Sequence, residues 1–295
     1  MTRFNVASEL EYTATLPVTF LLNIRAGDCE RQRVEQERFV ITGGIPFETH
    51  VCASTGNRFD LITLEVPGIY QIRYEATVEV SVERLDGRML PETDPGHFDL
   101  ELLNYLYPSR YCQSDRLGDL TASEFDGAAT PYEKVLAVCD WIRNHVSYTS
   151  GSTHASTSAV DTLVERAGVC RDFAHLGIAL CRAMNIPSRY FTGYAYELEP
   201  PDFHACFETW IGGRWLVWDA TGLASPDGMV RIGTGRDAAD VSISTSFGPL
   251  QLNHQKVSCL AVDDFYQKMS PSEIREQAIS LTSAEPGRGP RSVAA

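Results

Sequence analysis

The chain has 295 residues, 43% of them hydrophobic and 22% charged, with a formal net charge of −14. This is the composition of a soluble globular chain of one large or two moderate domains, not of a disordered or membrane one. The acidity, with no cluster of five or more Lys and Arg, excludes nucleic acid as an expected partner, and the apolar run "VTFLLNI" at 18–24 is far below the ~20 residues that cross a bilayer.

That run also lacks signal-peptide flanks, since Glu9 and Glu11 precede it and no small-residue cleavage pattern follows. The expectation is a cytoplasmic protein without a membrane partner; an oligomer is allowed but not required.

Taken in chain order, residues 1–85 alternate apolar and polar side chains in short runs such as "RFVITG", "RFDLITLEV" and "IRYEATVEVSV", separated by Gly, Asp, Asn and Pro. They predict an antiparallel, sandwich-like β domain. Residues 86–130 begin with "DGRMLPETDPGH" and read as a linker with a short helix at 98–106. A core follows over 131–268. An amphipathic helix is predicted at 131–146 with Pro131 in its first turn, then the Ser/Thr-rich loop 147–158, a helix near 158–166 and another from Cys170. "SRYFTGYAYE", "HACFETWI" and "RWLVWDAT" read as strands, with Tyr190, Phe191, Tyr194, Trp210, Trp215 and Trp218 filling the sheet face. Helices followed by strands give an α+β class, helices on an antiparallel sheet. Residues 269–295 read as a disordered tail.

The eight cysteines lie at 29, 52, 112, 139, 170, 181, 206 and 259 with no C-x-x-C pair, so neither a disulfide scaffold nor a zinc ribbon is indicated. Cys139 and Cys181 fall on helical stripes and read as buried small hydrophobes. Cys170 differs. It stands where a glycine turn gives way to an apolar helix carrying Phe173, Leu176, Gly177, Leu180 and Met184 on one face. Unpaired backbone N–H groups and the positive end of the helix dipole favour a thiolate there. Asp172, in the same turn, opposes a thiolate if it points inward, so a backbone or basic partner is expected for it.

A thiol nucleophile needs a base and the base an orienting acceptor. His204 opens one strand and Asp219 closes the next, and a turn at Gly212-Gly213 brings these two ends side by side. Cys170, His204 and Asp219 together supply nucleophile, base and orienter. Each alone has a bland reading: a lone helix-start Cys is more often structural, a lone His is exposed filler, and Asp219 before "AT" is a turn acceptor. Tyr148 is weighed as a second oxyanion donor beside the Cys170 N–H, against a packing role. A metal site of Cys170, His204 and Cys206 is the sharper rival, but no paired fourth ligand is evident, and His175, about 140° round the helix from Cys170, reads as a core or interface histidine. No metal or cofactor is called for.

The motifs "RAGVCRDFAHL", "IPSRYFTGY", "HACFETW" and "GRWLVWDAT" resemble the transglutaminase-like core of bacterial proteins over about 145–240, and the upstream β region resembles the N-terminal region that accompanies it. The resemblance implies a papain/transglutaminase-like α+β fold and a cysteine protease or acyltransferase, with Cys170 as nucleophile, His204 as base and Asp219 as third member. Arg171, Cys206 and Ala220 stand where Gln, an aromatic residue (usually Trp) and Pro are common. The expected function is thiol-dependent acyl transfer on peptide or side-chain amides of a peptide or protein substrate. The alternative is a non-catalytic module binding peptides or peptidoglycan-like material on the same fold.

Overall fold

The computed structural model describes residues 1–92, 96, 98–263 and 265–283. Strands β1 (Thr2–Ala14), β2 (Val18–Leu22), β3 (Gln32–Ile41), β4 (Phe47–Val51), β5 (Arg58–Leu64) and β6 (Gly68–Val80) form the N-terminal β region, and β7 (Glu83–Asp86) leads out of it. Next come α1 (Gly118–Phe125), α2 (Pro131–His145), β8 (Ser147–Tyr148), α3 (Ala159–Glu165), β9 (Ala167–Gly168) and α4 (Cys170–Ala183). Strands β10 (Ser188–Ala195), β11 (His204–Ile211), β12 (Arg214–Trp218) and β13 (Met229–Gly235) follow. The chain closes with β14 (Ser244–Phe247), β15 (Leu250–Ala261), α5 (Pro271–Glu276) and β16 (Gln277–Ser280). The result is a mixed α+β fold with mostly antiparallel sheets.

Strict alternation along β1 turns Phe4, Val6, Leu10, Tyr12 and Ala14 inward, and Val18, Phe20 and Leu22 of β2 do the same. The two sheets, ordered β15-β1-β6-β3 and β14-β2-β5-β4, share this core. The expected division at residue 85 needs correction, because β14 pairs with β2 and β15 with β1, so late segments complete the N-terminal sandwich. The expected linker is corrected too. Residues 86–130 contribute Tyr111, Cys112, Leu117 and Phe125 to the helical core, and α1 lies within them.

The expected disordered tail is ordered through residue 283: Ser270 caps α5, and β16 pairs with β7, burying Ala278 and Ile279. The rest of that expectation, 284–295, lies outside the described residues.

Helix α2 starts where the sequence places it, because Thr130 Oγ1 accepts from the Glu133 N–H and the Glu133 carboxylate accepts from the Thr130 N–H, with Pro131 between them. Helix α4 is buried from Asp172 through Arg182 rather than along one face. Strand β11 lies across it, and other helices and loops cover the rest. Gly177 permits the close approach, since a Cβ there would lie 2.7 Å from Phe207 Cε1.

A third four-stranded sheet, ordered β12-β11-β10-β13, is buried on both faces, which explains its unbroken apolar and aromatic character. Phe207, Ala205, Ile211 and Tyr190 belong to the core around α4, whereas Phe191, Tyr194 and Cys206 belong to that of the sandwich. Two amides of the sandwich cap its outer strand β13. Gln32 donates to the Arg231 carbonyl at 2.8 Å and accepts from its N–H at 2.7 Å, and Asn57 does the same for Thr234 at 2.8 and 3.0 Å. An edge that would otherwise present unpaired backbone groups is thereby satisfied.

Candidate active site

The β11–β12 hairpin turns through Gly212 and Gly213, both at positive φ (62° and 78°), and this sets the register Ile211↔Arg214 through Phe207↔Trp218. The first residue of β11 and the residue after β12 are therefore neighbours. His204 and Asp219 meet with Nε2 and Oδ2 3.1 Å apart, at 1% and 8% exposure. Asp219 Oδ2 also accepts from the Ala224 N–H at 2.8 Å, and Oδ1 from the Thr221 N–H and hydroxyl at 2.8 and 2.6 Å. Asp219 is thus both the expected turn acceptor and the partner of His204. Sequence reasoning missed Thr221 and Ala224, although a carboxylate two residues before a threonine is a recognisable turn signal.

Burial favours the neutral form of both groups, but their mutual charge and hydrogen bonding win. The His204 imidazolium is held well above its ordinary range despite desolvation, through Asp219 first, then Cys206, with Cys170 adding to it. Asp219 is held below the usual carboxylate range, against desolvation, by His204, Thr221 and the Ala224 N–H. With Asp219 ionised, Nε2 donates to it, which leaves Nδ1 as the ring nitrogen for the Cys170 side.

Cys170 opens α4 and is partly exposed. Its turn is anchored by Asp172, which is fully buried and accepts from the Val169 N–H at 3.0 Å, from Arg171 Nε at 3.0 Å and from Thr153 Oγ1 at 2.7 Å. The backbone and basic partners expected of Asp172 are both present, so its charge is compensated. Arg171 also donates to the His154 carbonyl at 2.9 Å and thereby ties the Ser/Thr-rich loop to the start of α4. The opening residues of that loop form β8, which pairs in parallel with β9, Tyr148 opposite Gly168. A two-residue strand leaves no periodicity to read.

Cys206 sits two residues along β11 from His204, and ligand atoms of His204, Cys206 and Asp219 lie within 4.8 Å of one another. Burial, reinforced by Asp219, pushes the Cys206 thiol up to about 12. A metal would require that thiol to ionise beside a carboxylate already accepting four bonds, so these groups suit proton handling better than ligation. Cys139 and Cys181 are buried as expected, burial pushing the latter up to about 12. His175 is a core histidine at 0% exposure, held by the Ala238 N–H.

Comparison with known proteins agrees with this architecture. Residues 119–220 match the model of the transglutaminase-like superfamily, and residues 2–94 that of the bacterial transglutaminase N-terminal domain. A crystal structure from Cytophaga hutchinsonii, described as that of a candidate cysteine protease, is 44% identical, with a TM-score of 0.91 over 95% of this chain and 97% of that one. An uncharacterised protein of Mycobacterium leprae is 32% identical over 120 residues, 38% of this chain and 43% of that protein. One of Mycobacterium tuberculosis is 32% identical over 162 residues, 50% of this chain and 51% of that protein, so the chain spans about half the length of the curated relatives it matches. With both halves matched in order and the whole fold shared with a relative of such identity, the chain belongs to the transglutaminase-like superfamily, its core carrying a bacterial transglutaminase N-terminal domain.

Proposed function

We propose that the protein is a thiol enzyme performing acyl transfer on peptide or side-chain amides, with Cys170 as nucleophile, His204 as general base and acid, and Asp219 as the group that orients and stabilises the imidazolium. The observation that carries this reading is the buried His204–Asp219 pair at 3.1 Å, with Cys170 among the groups that favour the charged ring. In the first half-reaction Nδ1 takes the thiol proton, the sulfur attacks the carbonyl carbon, and the C–N bond breaks as His204 returns the proton to the departing amine. Water or a second amine then attacks the thioester, giving its proton to His204 and releasing the Cys170 thiol. Asp219 favours every state in which the ring is charged, which is the direction of both shifts described above.

The test is purified protein against amide-containing peptides with and without a primary amine, beside Cys170→Ala. The expected result is complete loss of amide turnover with the circular dichroism spectrum retained. Full activity in the variant would replace this reading with the non-catalytic binding module. A reducing, cytoplasmic setting forms part of the proposal and is supported by eight unpaired cysteines. Recovery of the native protein outside the cytosolic fraction would overturn that part.

A further inference from the structure

We infer that Tyr148 is a catalytic residue of this site, its hydroxyl donating to the carbonyl oxygen as that oxygen acquires negative charge. The inference rests on the acyl-transfer reading above and adds to it the group that meets the developing charge. When a thiolate adds to an amide, the electron pair of the C=O bond moves onto oxygen. That oxygen lies one carbon from the Cys170 sulfur, so any group that stabilises it must reach both the sulfur's surroundings and the start of α4.

Tyr148 is placed to do so by elements remote in sequence. The parallel β8–β9 pairing sets Tyr148 opposite Gly168, two residues before Cys170, and the Thr149 N–H donates to the Gly168 carbonyl at 2.9 Å. The ring lies 5.8 Å from that of Phe173, inclined by 52°, in the first turn of α4. These two contacts fix the backbone and the ring beside the start of α4, and the hydroxyl lies close enough for both the Cys170 backbone N–H and the Cys170 thiol to act on its ionisation. It therefore stands at the point shared by the attacking atom and the first N–H of the helix.

The residue is 42% exposed, which gives a substrate access to it. Burial of the hydroxyl, with the charge of Cys170 next, pushes its ionisation up to about 12, so it remains a donor through the neutral range. A packing role accounts for the ring on Phe173 but not for a hydroxyl this close to the thiol and its own N–H.

The experiment uses p-nitrophenyl acetate, which acylates a thiol without demanding a particular peptide, and iodoacetamide, which alkylates sulfur without forming an oxyanion. Tyr148→Phe keeps the ring and removes only the hydroxyl. The expected result is a fall of roughly a hundredfold in the acylation rate, the size associated with losing one oxyanion donor, while the alkylation rate and its pH dependence stay within about twofold of wild type. Unchanged alkylation also reports that the helix start is still folded. Three results would overturn the inference: acylation within about threefold of wild type; acylation faster than wild type, which would make the hydroxyl a plug; or parallel loss of both rates, which would make Tyr148 a positioning residue for the thiol. All proteins carry Cys29→Ser and Cys52→Ser, because these two thiols are partly exposed and Cys52 is drawn down to about 7 by hydrogen bonds from Ser54 and Thr55. Cys170→Ala in that background is the separate control, since an acetylation burst that survives it would remove the acyl-transfer reading itself, whatever Tyr148→Phe does.

Discussion

Acid is expected to destabilise this fold through His175. The ring is sandwiched between Tyr111, at 4.9 Å and an interplanar angle of 8°, and Tyr190, at 5.1 Å. Its Nε2 accepts from the Ala238 N–H at 3.1 Å, which places the ring hydrogen on Nδ1. A second proton has to go onto Nε2 and would abolish that bond. Burial drives the pKa from 6.5 down to about 3; Asp172 resists the fall, while Arg171 and Arg182 add to it. The native pKa is depressed, so its stability is intact above about pH 6.5, where both states are neutral. Below that value the unfolded chain binds a proton that the native state refuses, and about 1.4 kcal/mol is lost per pH unit until about pH 3. At pH 4.5 the loss from this one group is about 2 to 3 kcal/mol. Urea unfolding at pH 7.0 and 4.5 measures it against His175→Gln, whose amide oxygen can still accept from Ala238. Carboxylates held below their usual range, such as Asp219 and Asp240, add to the acid sensitivity of both proteins and cancel in the comparison. The variant is expected to lose about 2 to 3 kcal/mol less than wild type. Equal losses would refute the assignment of a neutral, proton-refusing His175.

Asp219→Ala removes the carboxylate from a buried imidazole; amide turnover is expected to fall roughly 10³- to 10⁴-fold, and the His204 resonance, followed by NMR titration, to lose its upward-shifted pKa. Gly193→Ala puts a Cβ 2.4 Å from the Val230 carbonyl oxygen of β13, at the β10 residue whose other neighbour is His204 of β11. Backbone cannot yield as a side chain does, so an overpacking cost of about 2 to 3 kcal/mol is expected, read as a lowered melting temperature with reduced turnover.

The meeting of His204 and Asp219 was legible because each stands at the end of an element whose boundary has a local cause, a strand start and a strand end fixed by the Gly212-Gly213 hairpin, and the start of α4 at Cys170 was legible from the glycine turn before it. The burial of the aromatic residues along β10, β11 and β12 followed from their type. What escaped reading depends on partners far away in sequence. Nothing inside "LQLNHQKVSCLA" says that its neighbour is β1 at the opposite end of the chain, and β7 cannot announce β16. The short β8–β9 pair carries no repeat, so the sequence could offer Tyr148 as a donor but not the pairing that sets it opposite Gly168. The complete burial of α4 was hidden for a related reason. A helical stripe reveals the face turned to one layer but not whether further layers cover the others.

Strand β15 aligns Leu250 with Ala14 and Ala261 with Phe4, so β1 of the N-terminal sandwich gains a neighbour made more than two hundred residues after it. During synthesis at roughly 5 to 20 residues per second, β1 leaves the ribosome and waits on the order of tens of seconds for its partner. Throughout that interval it presents a bare edge, and its apolar row stays poorly shielded, a template for pairing with a neighbouring nascent chain. A fragment that stops before residue 250 keeps that edge of β1 unpaired permanently.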